Sequence, residues 1–473
     1  MIYTPRSHHS HLTKMMRNSK MYEQLFDLID DFTKSKTGRL IKRKSLLDDL
    51  EASIQPSGKN FSVTFDWDRR IKGGKQLDVG QHYKKVELQF KDQSYILSEL
   101  FLGTHSPPQF TGQTSFLYTK GYSFKKKFYY RLLIPLEREL RYHYILGTRS
   151  SEINGDSLIF RIIQNDKKKY FLIIESEFKQ SYDEFSEKTF ALKNALGYLT
   201  GYLAGNGGYF FAYTKKKMEA PAHIYRCEFR NTIISGYAPL NSNPYSYLHS
   251  NKKLAKKYYD KKLLRTINQD EFSLLCQRLY DSVELSSAII LMLESSVASL
   301  LFMPGGYAIV LETLADIIKP KKKQKVAPMT KSLSKKVRQE CSAVIEKYKN
   351  EFSKDNHQAL LDRISWLNQA TNKAKLRAPF DYLKIDLLEE DLDILQARND
   401  FLHGRVPDMT KGGEVRSLDR QNKDLYYASV RFYTLLNILI LKWIGYDNRV
   451  VNYPKINEAF TEIKLKEEPY RQI

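Results

Sequence analysis

Residues 250–265 read Ser-Asn-Lys-Lys-Leu-Ala-Lys-Lys-Tyr-Tyr-Asp-Lys-Lys-Leu-Leu-Arg, with seven basic side chains against one acid, Asp260. So many ammonium groups in sixteen residues favour water over a core, and the segment is expected to be a solvated basic connector. The sequence patterns on its two sides differ in period. That difference decides the fold class.

Before the connector, residues 60–149 run in short aromatic and β-branched stretches, such as 61–67, 85–90 and 128–134. Glycine- and proline-bearing breaks separate them, which predicts an antiparallel sheet or sandwich. Residues 157–164 and 169–175 predict a hairpin about Asn165-Asp166. A helix over 183–204 and strands over 209–214 and 224–229 follow. Gly197, Gly201 and Gly205 recur every four residues and predict close backbone packing. Upstream, Leu25, Phe26, Leu28, Ile29 and Phe32 share one face of a helix over 21–32, behind a frayed tail.

Beyond Arg265 the strand pattern disappears. Helical period runs through 270–296, 307–318, 335–349, 356–371, 385–403 and 425–446, as Leu388, Leu392 and Leu395 illustrate. Asp386, Glu389, Glu390 and Asp391 load the start of the fifth helix with acids, favourable to its dipole. The expected fold is α+β and multidomain: tail and helices over 1–56, a β-rich recognition domain over 57–249, the connector, and an all-α bundle over 266–473.

A length of 473 residues predicts two or three domains, and the 42% hydrophobic content excludes a wholly disordered chain. Cys227, Cys276 and Cys341 are too far apart in sequence for zinc pairs or a disulfide framework, which fits a reducing compartment. The first twenty residues lack an apolar signal region, and the apolar stretches near 288–293 and 435–441 fall short of the ~20 residues of a membrane span. A cytoplasmic protein without membrane association is expected. The formal charge is +22. Divided at Arg265, residues 1–265 carry +19 and the remainder +3, which points to a polyanion partner for the first half.

The fifth helix ends in Gln396-Ala397-Arg398-Asn399-Asp400-Phe401-Leu402-His403-Gly404-Arg405. An Arg-x4-His spacing occurs elsewhere in the chain, at Arg6/His11 and Arg138/His143, so spacing alone says nothing. This pair differs because Asn399 follows the arginine, the pair closes an amphipathic helix, and a long apolar helix comes soon after.

On that motif and its place between the last two long helices, the chain resembles the HEPN superfamily. It is most similar to the ApeA-like branch, in which such a bundle follows a β-rich N-terminal region. The resemblance covers about residues 268–446. It implies a helical bundle that forms a homodimer, in which two motifs meet as a ribonuclease site needing neither metal nor other cofactor. It also implies a toxin or antiviral, abortive-infection effector, with the N-terminal region sensing a trigger such as a phage protein. Arg398, Asn399 and His403 are then the catalytic residues, and Glu312, from an earlier helix, is a candidate accessory carboxylate.

The residue types suit that chemistry. RNA carries its own nucleophile, the 2′-hydroxyl, so cleavage requires a group that exchanges a proton near neutral pH, for which histidine is suited. The charge developing on phosphorus requires a cation, and a bidentate guanidinium serves better than an ammonium. Asn399 and His403 share a helix face at i, i+4. Arg398 lies roughly 140° around from His403, so it must curl round, meet a partner chain's histidine, or occupy a local irregularity. Gly404 allows the chain to turn, bringing the loop over 405–422 beside a substrate.

Three further readings remain. Residues 319–338 hold nine basic residues and no acid. They are expected as a solvated inter-helix loop, with Lys321, Lys322 and Lys323, together with Arg405, as candidate nucleic-acid contacts. Asp156, then Glu177-x-Lys179 across the hairpin, matches a Mg²⁺-dependent, restriction-endonuclease-like site in which two carboxylates hold the ion. A bundle that binds nucleic acid or a partner without catalysis is the alternative of a different class.

Overall fold

A computed structural model describes residues 22–57, 60–67, 77–90, 93–106, 109–114, 116–142, 145–205, 208–227, 231–318, 329–369, 371–409 and 416–473. The chain divides into two compact units, Met1–Ala238 with Thr266–Ser286, and Pro239–Arg265 with Ser287–Ile473. The fold is α+β, with a β-rich N-terminal region and a helical C-terminal one.

The first unit opens with helix α1 (Glu23–Phe32) and strands β1 (Lys36–Ile41), β2 (Leu50–Ser57), β3 (Asn60–Asp66), β4 (His82–Gln89), β5 (Ser94–Ser106) and β6 (Gln109–Thr114). They pair antiparallel in the order β4-β1-β2-β3-β6-β5, and β5 pairs back to β4, closing a six-stranded barrel. Alternation along β3 turns Phe61, Val63 and Phe65 into the core, as a strand of period two requires. The apolar face of α1 joins the same core, with Phe32 edge-on to Phe61 and Tyr95. Within the span expected as tail and helices, 1–56, residues 36–41 and 50–56 are therefore strands. Pro56 and Ser57 lie in β2 opposite Phe61 and Asn60.

Strand β5 carries β4 along one edge and shares its other edge between β6 and β7 (Phe116–Thr119). Through β7 the sheet continues with β8 (Tyr129–Leu136), β9 (Ser150–Ile153), β10 (Asp156–Gln164) and β11 (Tyr170–Ser176). Helix α2 (Tyr182–Thr200), the short β12 (Tyr202–Leu203), β13 (Gly208–Tyr213), β14 (His223–Cys227) and β15 (Ile233–Ile234) come next. The order is β7-β14-β13-β8-β11-β10-β9, antiparallel throughout. A reciprocal Ser181/Glu184 cap starts α2, and Gly201 in the left-handed region (φ +70°) stops it before the expected residue 204. A Cβ on Gly201 would lie 2.5 Å from the Tyr237 carbonyl oxygen, and one on Gly197 would lie 2.8 Å from Leu203. At Gly197 and Gly201 the glycine recurrence is close packing, as the spacing suggested.

Two segments exchange places relative to the sequence reading. Residues 252–260 are not a solvated connector but helix α3 (Lys252–Asp260), grouped with the second unit and anchored by buried Ala255 and Tyr258. Helix α4 (Gln269–Asp281) groups with the first unit, although the sequence reading put residues 266–473 in the bundle. It covers β9, the edge strand of the sheet. Its Ser273 and Gln277 side chains accept the backbone N–H groups of Glu152 and Asn154 at 3.1 and 2.6 Å. An edge so covered cannot template another strand. The helix expected over 270–296 breaks at Ser282, whose hydroxyl then caps α5 (Val283–Ser295) through Leu285 N at 3.0 Å.

The second unit contains α6 (Met303–Ile317), α7 (Lys331–Lys347), α8 (Lys354–Ser365), α9 (Asn372–Tyr382), α10 (Glu389–Leu402) and α11 (Leu418–Trp443). A two-stranded ribbon of β16 (Arg449–Val451) and β17 (Tyr470–Gln472) completes it. Tyr307, Val310, Leu311 and Leu314 of α6, Ile394 and Leu395 of α10, and the apolar run of α11 are buried. Leu435, Leu436, Ile438, Leu439, Ile440 and Leu441 are fully covered within the chain. This apolar run of α11 is consumed within the chain.

Regrouping changes the charge balance. The first unit carries 39 basic and 29 acidic residues, and the second 37 and 25, or +10 and +12. Of the +19 in residues 1–265, residues 1–238 carry +13 and residues 239–265, which include α3, carry +6; residues 266–286 bring −3 to the first unit. Among the described residues no helix is long and apolar enough to cross a membrane.

Candidate active site

Helix α10 is held by one face. Ile394, Leu395 and Phe401 are buried, Phe401 meets Phe432 of α11 edge-on at 5.8 Å, and its carbonyl oxygen would lie 3.3 Å from a Cβ on Gly305 of α6. At about 100° per residue, Arg398 falls in the middle of that buried face. It points toward α6, where its guanidinium forms an ion pair with Glu312. The Asn399 side-chain oxygen accepts a second guanidinium N–H. Only 12% of the Arg398 side chain remains exposed, and burial lowers its pKa.

Asn399 and His403 occupy the opposite, exposed face. The helix stays regular up to the histidine, since His403 N–H donates to the Asn399 carbonyl at 3.2 Å. Gly404 at φ +69° then reverses the chain, with Arg405 N–H donating to Asp400 O at 2.8 Å and Gly404 N–H to Phe401 O at 3.1 Å. This is a Schellman end, the turn that Gly404 suggested. No irregularity brings Arg398 and His403 to one side. Of the three ways the sequence left open for them to cooperate, the local irregularity is removed.

Beyond the turn, Arg416 donates to the Val406 and Pro407 carbonyls at 2.6 and 2.9 Å and to Asp424 of α11 at 2.6 Å, pinning the start of the loop. Arg405 is exposed and 3.5 Å from Asp400. Lys321, Lys322 and Lys323 lie outside the described residues.

Sequence reasoning missed a buried charge cluster below the site. Asp391, expected as a helix-start acid, is fully buried, and its carboxylate meets Arg431 Nε at 2.8 Å and Arg471 Nη2 at 2.8 Å. It also caps α10 by accepting Leu388 N–H at 2.9 Å. Arg431, likewise fully buried, donates to Glu467 at 2.5 Å. Acids at a helix start read as surface residues, so only a partner far along the chain identifies this one.

In the rival constellation the Glu177 N–H donates to the Ser157 carbonyl at 3.3 Å, so Asp156 and Glu177 lie at the same end of neighbouring strands. Asp156 begins β10 but is ion-paired with Lys188 of α2. Lys179 lies over the Tyr129 ring at 5.6 Å, and Glu177 follows β11 at its edge. Glu175 is buried, held by Arg131 at 2.5 Å, Arg161 at 2.9 Å and the Tyr22 hydroxyl at 3.2 Å. Among the described residues no three His, Cys, Asp or Glu side chains gather so as to hold a metal ion. Compared with family models, curated proteins and solved structures, the chain matches none.

Proposed function

We propose that the protein is a metal-independent endoribonuclease of HEPN type that acts as a toxin or antiviral effector in the cytoplasm. The observation that carries the reading is the fixed Arg398, anchored by Glu312 and Asn399 one helical turn before the exposed His403. His403 takes the proton of the RNA 2′-hydroxyl as the oxygen attacks phosphorus, and a protonated imidazole returns one to the leaving 5′-oxygen. Arg398 stabilises the phosphorane charge, and Glu312 and Asn399 hold its guanidinium in register. Products are a 2′,3′-cyclic phosphate and a 5′-hydroxyl.

Because guanidinium and imidazole face opposite sides of α10, the reading includes a homodimer in which each arginine serves the partner's histidine. Ile309 of α6 and Leu402 of α10 are exposed apolar residues close in sequence to Glu312 and His403, and they contribute the surface for that contact. The β-rich unit serves as the sensor for a trigger. Expression tests the reading: the wild-type chain slows host growth, and His403→Ala restores it. Equal toxicity of the two chains would favour a non-catalytic binding protein.

A further inference from the structure

We propose that helix α3 and the cleft beside it bind the phosphate backbone and bases of single-stranded RNA, apart from the site of cleavage. The choice of RNA rests on the ribonuclease reading; the surface itself does not.

Helix α3 is anchored through one stripe. Ala255 and Tyr258 are buried, and the Tyr258 hydroxyl donates to Glu468 at 2.9 Å. The opposite arc carries Tyr259, Lys252, Lys256, Lys253 and Lys257 in angular order, at about 100° per residue. Lys261 and Lys262 extend it past the helix end. None of these six lysines makes an ion pair with a described residue, and Asp260 is the one acid among them. Six ammonium groups over about three helical turns repel one another and hold counterions, which a polyphosphate chain displaces with a gain in entropy.

The patch also offers stacking surfaces. Tyr259 is 65% exposed and Tyr245 41% exposed, with ring centroids 6.1 Å apart. Aromatic faces beside a cationic track are the elements with which proteins hold single strands without reading sequence. Lys257 and Lys261 also line a cleft whose other cations include Arg449 and Lys466. The cleft's acids are Asp386, Glu467 and Glu468, of which Glu467 is ion-paired with Arg431 and Glu468 accepts the Tyr258 hydroxyl. A membrane surface is a poorer occupant, because an interfacial helix needs a free apolar face and that of α3 is already buried.

The test uses the full chain and a fluorescent 2′-O-methyl oligouridine, which lacks the nucleophile and stays intact. Binding is followed by anisotropy across a salt series. Lys256→Glu/Lys257→Glu/Lys261→Glu should weaken it at least about tenfold and flatten the log–log salt slope by about two. Tyr259→Ala should weaken it about fivefold or more with the slope unchanged. Circular dichroism melts confirm that both variants fold. No binding by the wild type, or unchanged affinity in both variants, overturns the proposal. Equal competition by oligoglutamate together with a silent Tyr259→Ala also overturns it, and reassigns the surface to an acidic protein. An unmodified oligouridine bound through α3 yet left intact refutes the ribonuclease reading while this one stands.

Discussion

Glu312 on α6 is the ion-pair partner of Arg398 on α10. The pair gives the guanidinium a fixed direction before any substrate arrives, so its ordering entropy is not lost at the moment of binding.

On the proposed ribonuclease reading, Glu312 is a positioning residue. Glu312→Gln should lower kcat for RNA cleavage by on the order of tenfold to a hundredfold, with a smaller change in KM. Glu312→Asp should recover part of the loss. Steady-state kinetics check this. A raised kcat in Glu312→Gln would mean that the pair restrains Arg398 instead of aligning it.

The cluster of Arg431, Asp391, Glu467 and Arg471 supports α10 from below. Arg431→Met should destabilise the fold by about 3–5 kcal/mol, because it leaves the buried Glu467 without its cation and Asp391 with Arg471 alone. Chemical denaturation of the full chain checks it. An unchanged midpoint would show that Asp391 and Glu467 reach water.

These relationships also mark where the sequence stops being informative. The helical period located α6 and α10 within about four residues and α11 except for its first seven, and the Asn165-Asp166 turn located the β10–β11 hairpin. Gly404 announced its own turn. Strands β1 and β2 escaped because their outward faces carry Lys, Arg and Glu, which leaves few inward residues to reveal a period of two. Amphipathicity identified the helical stretch over 269–281 but not what its buried face meets, so α4 was assigned to the wrong neighbours. Arg431 and Asp391 look like surface charges in one dimension. Glu312 was a bare candidate until the packing of α6 on α10 set it against Arg398.

His223 on β14 provides a test within the β-rich unit. Burial, and then Lys126, hold its imidazole pKa below the usual value, while its Nδ1 lies 3.1 Å from the Thr119 hydroxyl. The unfolded chain binds that proton more tightly than the folded one. The contribution of His223 is therefore complete above its unfolded pKa, about 6.5, and is lost as pH falls through the lower folded value. Denaturation midpoints at pH 7 and pH 5 should fall further for the wild type than for His223→Asn. Equal falls would place the imidazole in ordinary contact with water.

The central claim is chemical, and the end groups of the cleaved RNA test it most directly. Purified wild-type protein incubated with RNA in excess EDTA should produce 2′,3′-cyclic phosphate and 5′-hydroxyl ends, and His403→Ala and Arg398→Ala should each produce none. Abolition of cleavage by EDTA, together with its loss in Glu177→Ala and its persistence in His403→Ala, would contradict the account and move the chemistry to the hairpin of β10 and β11.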